Sequence, residues 1–60
     1  MKIVFNRVER SYSVSAYNLL LNDVDVGRLT MSDQKFIEFK AIIRQGLSDE
    51  DRLIVQGVGT

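Results

Sequence analysis

The stretch Tyr12-Ser13-Val14-Ser15-Ala16-Tyr17-Asn18-Leu19-Leu20-Leu21-Asn22-Asp23-Val24-Asp25-Val26-Gly27-Arg28-Leu29 decides how this chain folds. Tyr12 to Leu21 alternates, with Tyr12, Val14 and Ala16 on one face and Ser11, Ser13 and Ser15 on the other. That is the pattern of a half-buried antiparallel strand. Asn22-Asp23 supplies residues that tolerate the positive φ of a tight hairpin turn, and Val24 to Leu29 is the returning strand. A two-residue turn sets Leu21 opposite Val24, Leu19 opposite Val26, Asn18 opposite Gly27 and Ala16 opposite Leu29. In this register Leu19, Leu21, Val24 and Val26 share a face at the tip, while Ala16 and Leu29 lie on the other face at the base. The apolar phase flips at Asn18/Gly27. A glycine within a strand often marks a bulge, which shifts the phase by one residue. Either the hairpin bends there, or its apolar tip overhangs the core.

Working outward, Ile3 to Val8 reads as a first strand, separated from the hairpin by the polar break Glu9-Arg10-Ser11. After the hairpin, Ser32 is a good helix N-cap with Asp33 at the positive end of the dipole; Thr30 is the alternative cap. The helix is expected over Asp33 to Gln45, with Gly46 at C′ and Leu47 as the apolar residue of a Schellman motif. Phe36, Phe39, Ile42 and Ile43 fall within a stripe of about 120°, wide enough to face a core, with Phe39 at its centre. Leu47-Ser48-Asp49-Glu50-Asp51 is a connector, Leu53 to Val58 a last strand, and Gly59-Thr60 a frayed end. The fold class is α+β in the order β-β-β-α-β. A three-strand antiparallel meander is covered on one face by the helix, and the short C-terminal strand lies parallel to the first strand in spatial order 3-2-1-4. An edge position beside the third strand is the alternative.

The 60 residues make a single domain. There is no cysteine, histidine, tryptophan or proline. Disulfides, zinc sites built on Cys or His, cysteine nucleophiles and a histidine base are therefore excluded. Eight basic and eight acidic side chains balance, which argues against nucleic acid as a partner. No apolar run approaches the ~18 residues of a membrane span, and the N-terminus lacks a signal-peptide core. The chain begins with Met1 and reads as a complete small cytoplasmic product. A domain this small buries only about 60% of its unfolded surface, and a lone core supplies only about 3–5 kcal/mol. Association is the remaining support, so a homodimer is expected.

The residues that could carry chemistry have plainer explanations. Asp49-Glu50-Asp51 lacks the spacing of a calcium loop and reads as a solvated connector, so no metal is expected. Asp23 and Asp25 keep a strand edge soluble. Ser11, Ser13 and Ser15 form a wet row with no histidine to activate a nucleophile. The glycines form no phosphate cradle, so no cofactor is expected. Arg7, Arg10 and Arg28 with Tyr12 and Tyr17 could face a nucleic-acid strand, but residues 1–31 carry a net charge of only +1.

The strongest signal is apolar surplus. If Phe36, Phe39, Ile42 and Ile43 cover Ile3, Phe5, Val14, Ala16 and Leu29, then Val4, Val8 and Tyr17 remain on the outer sheet face. Ile37 and Ala41 remain on the outer helix face. Several such patches on one small domain indicate an interface. The candidate partner-binding residues are Leu19, Leu21, Val24, Val26, Ile37, Ala41 and Tyr17. The expected function is non-enzymatic protein binding by a small inhibitor or adaptor, of the kind a phage or mobile element uses to block a host factor. The alternative is a small dimeric nucleic-acid-binding regulator.

Overall fold

The computed structural model describes residues 1–57. Its elements are β1 (Lys2–Ser11), β2 (Val14–Leu21), β3 (Val24–Ser32), α1 (Asp33–Gln45) and β4 (Arg52–Gly57). They form one four-stranded sheet in the order β3-β2-β1-β4. β1/β2 and β2/β3 are antiparallel, and β4 is parallel to β1. This is the expected β-β-β-α-β arrangement, with the last strand beside the first. The expected strand end at Val58 and the fraying of Gly59-Thr60 lie outside the described residues.

The first hairpin turns later than its polar residues suggest. Glu9, Arg10 and Ser11 continue β1, and the turn is Tyr12-Ser13. Tyr12 adopts a left-handed φ of 54° and stands exposed in the turn, so it does not open β2 on a shared face with Val14 and Ala16. The second turn is as read. Asn22 (φ 51°) and Asp23 (φ 69°) both take positive φ, the requirement of a type I′ turn. Asn22 also anchors the tip to β1. Its amide donates to the Lys2 carbonyl at 2.8 Å, and its Oδ1 accepts from the Lys2 amide at 2.9 Å.

The phase flip is resolved by a bulge at Val26. Leu21 pairs with Val24 and Leu20 with Asp25, but Leu19 pairs with Gly27, leaving Val26 as the extra residue. Every later pair moves by one from the expected register. Asn18 faces Arg28, Tyr17 faces Leu29 and Ala16 faces Thr30. The Asp25 carboxylate accepts from the Gly27 amide at 3.0 Å and spans the bulge. A second register shift lies between Arg7 and Glu9, at Val8.

This shift rebuilds the core. Tyr17, expected on the outer sheet face, is fully buried (0% exposed) with Phe5, and Phe36 joins them. The Tyr17 and Phe36 rings stack with centroids 4.2 Å apart and planes 19° apart. Phe5 meets Tyr17, Phe36 and Phe39 edge-on at 6.2, 5.2 and 5.7 Å. Edge-to-face and offset contacts of this kind suit the aromatic quadrupole. Leu19, Leu21, Leu29, Met31, Ile43, Leu47, Leu53 and Val55 pack around the cluster. Val14 and Ala16, expected beneath the helix, alternate with Tyr17 and belong to the opposite face. Ile42, expected in the core, is 65% exposed, and Phe36 rather than Phe39 is the buried centre of the helix.

The helix ends follow local chemistry. Ser32 is the N-cap and its hydroxyl accepts from the Lys35 amide at 3.2 Å. Asp33 in the first turn holds Arg10 through two contacts of 2.9 and 3.3 Å, tying the helix to β1. Gly46 caps the C-terminus at φ −96°, so the left-handed Schellman geometry is absent, although Leu47 still packs on the core. Through Phe36 and Phe39, α1 packs on Phe5 of β1 and Tyr17 of β2. Among the described residues no helix is long and apolar enough to cross a membrane.

Candidate interaction surface

β3 enters α1 with no intervening loop. Between them lies a groove of about 400 Å³ lined by Met31, Lys35, Glu38, Phe39 and Ile42. Met31 and Phe39 reach it from the margin of the core, and Ile42 stands over it largely in solvent. Lys35 and Glu38 occupy successive turns of its helical wall, with Nζ and Oε2 3.5 Å apart.

The outer edge of the same groove is an open strand. β3 is terminal in the sheet. The Asp33 amide donates to the Ser13 carbonyl at 2.7 Å, which fixes the phase of the β2/β3 ladder. With Tyr17 opposite Leu29 and Ser15 opposite Met31, those pairs exchange hydrogen bonds. Arg28 and Thr30 therefore turn their backbone N–H and C=O outward, away from β2. An open ladder beside an apolar groove is the geometry by which sheets accept an added strand. The backbone supplies bonds, and alternate side chains drop into the groove.

The sequence-derived surface residues divide. Val24, Val26, Ile37 and Ala41 are exposed. Leu19 and Leu21 are half-buried against the core, whereas Val24 and Val26 on β3 are exposed. Tyr17 is not a surface residue at all. Sequence reasoning missed Met31, Phe39 and Ile42 as one surface. Ile42 sits at the margin of the helical stripe, and that margin was the available signal.

A second apolar feature crosses the sheet face opposite the helix. Ile54, Val4 and Leu20 align across β4, β1 and β2; Val4 is buried (5% exposed), with Leu20 and Ile54 half-buried beside it. Lys2 and Arg52 bound this row on one side, and Asn6, Asn18, Gln56 and Arg28 on the other.

The arginines do not converge. Arg7 faces the helix side, its Nη2 donating to the Tyr17 hydroxyl at 3.2 Å and its guanidinium 5.4 Å from the ring centre. Arg10 is engaged by Asp33, and Arg28, on the opposite face, by Glu9 at 2.8 Å. The serine row is not uniformly wet either. Ser15 is 1% exposed, and its hydroxyl makes no hydrogen bond among the described residues.

The acidic connector is structural at Asp51. Its carboxylate accepts from the Ser48 amide at 2.9 Å and hydroxyl at 3.1 Å, and pairs with the N-terminal ammonium at 2.7 Å. The ammonium contact, followed by the Ser48 amide, lowers its pKa to about 2. Among the described residues no group of three or more carboxylates could hold a metal ion. No protein-family model, curated protein or solved structure matches the chain.

Proposed function

We propose that this chain is a non-enzymatic protein-binding module, a small inhibitor or adaptor acting in the cytoplasm, and that it engages its partner along the β3–α1 flank. The observation that carries this reading is the coincidence of two incomplete features on one side of the molecule. Among the described residues the outward backbone of Arg28 and Thr30 pairs with no strand, and the neighbouring groove leaves Ile42 uncovered. One extended segment satisfies both. The nucleic-acid alternative draws less support, because Arg7, Arg10 and Arg28 lie on two faces and the latter two meet carboxylates.

Affinity capture from a host lysate, with and without nuclease, tests the reading. A protein retained in the presence of nuclease and lost with Ile42→Glu is the expected result. A catch that disappears on nuclease treatment would transfer the function to the alternative.

A further inference from the structure

We propose that a second copy of this chain closes the β3–α1 flank, with β3 of one protomer antiparallel to β3 of the other. The inference rests on the protein-binding reading of this flank and names its occupant in the free protein, which a foreign partner displaces on binding. The first support is the edge itself. Arg28 and Thr30 each present an outward donor and acceptor. A two-fold axis beside Leu29 sets Arg28 of one protomer against Thr30 of the other, twice, so that the edge is satisfied by its own copy. This register avoids placing the two Arg28 side chains directly opposite each other, which like charges disfavour.

The second support is charge. Lys35 and Glu38 stand one helical turn apart on the groove wall. A two-fold axis reverses their order on the facing helix, so the cation of each protomer can meet the carboxylate of the other. A foreign segment of one sign would match one of these groups and oppose its neighbour. Zero formal charge on the chain leaves no net repulsion between copies. The same operation brings each exposed Ile42 toward the other protomer's groove. The product is a sheet continuous across both protomers with the two helices on one face.

Sedimentation of the full chain across roughly a hundredfold dilution tests this. The expected result is a dimer that dissociates on dilution. Thr30→Pro removes an N–H that pairs with nothing inside the protomer, and proline is tolerated on strand edges. It should keep the circular dichroism of the parent and weaken dimerisation at least tenfold. The exposed pair Lys35→Glu and Glu38→Lys decides the matter even if the proline variant fails to fold. Each should be monomeric alone, and an equimolar mixture should recover the dimer, because both cross-protomer pairs are then complementary. A monomer at every concentration, or a dimer indifferent to all of these changes, would overturn the proposal. Should the parent be monomeric while Ile42→Glu still abolishes capture of a foreign protein, the second copy is wrong and the binding flank stands.

Discussion

Tyr17 on β2 stacks against Phe36 on α1 at 4.2 Å, and this contact joins the centre of the sheet to the helix that covers it. It exists because the Val26 bulge lets Tyr17, Leu19, Leu21, Leu29 and Met31 share one face. Phe36 also meets Phe5 and lies beneath the Lys40 ammonium, 4.8 Å from the ring centre.

Removing that ring should remove most of the stability. Phe36→Ala should cost about 3–5 kcal/mol, near the whole yield of a lone core of this size. Far-UV circular dichroism at room temperature should report a largely unfolded chain. A cooperative melt close to the parent's would mean that the aromatic cluster is not the centre of the core.

The bulge makes a sharper statement. Because Val26 is the extra residue, deleting it leaves Leu20 opposite Asp25 and Leu19 opposite Gly27, and every side chain beyond keeps its face. The deletion should cost only about 1–2 kcal/mol, an ordinary mutational effect. In an unbulged hairpin the same deletion would send Leu29 and Met31 to the wrong face, and denaturant titration would find no folded state.

Much of this fold was legible in local chemistry. Asn22-Asp23 specified its turn, Ser32 its cap, and the direction of the last strand its place beside β1. The apolar phase flip announced a bulge without locating it. Tyr17 was misplaced because a one-residue shift exchanges the faces of a strand, and two apolar faces read alike until the bulge is fixed. The site was less legible. Ile42 lies at the stripe margin, where the angle of the helix over the sheet decides burial, and that angle depends on the Tyr17–Phe36 stack.

Ser15→Ala should stabilise the fold. The hydroxyl is buried without a hydrogen bond among the described residues, and an unmet buried polar group costs about 1–3 kcal/mol. A gain of about 1 kcal/mol in urea unfolding is expected. A loss of that size would show that the hydroxyl is satisfied in solution.

Acid should act through Asp51. Its pKa is lowered from 3.8 to about 2 in the folded chain, so its contribution is complete above the unfolded value and is lost as pH falls through about 2. Urea midpoints measured from neutral pH downward should fall less steeply below pH 4 for Asp51→Asn than for the parent. Parallel acid limbs would detach Asp51 from the stability of the connector.

The most direct measurement of the binding flank is amide hydrogen exchange at Arg28 and Thr30, resolved by NMR in the free and the associated chain. Both amides point out of the sheet and should exchange quickly when free, despite lying in a regular strand. On association both should become protected, with Ile42 shifting alongside them. Fast exchange at both positions in the associated state, with shifts instead along Ile54, Val4 and Leu20, would place the interface on the sheet face opposite the helix and contradict the account.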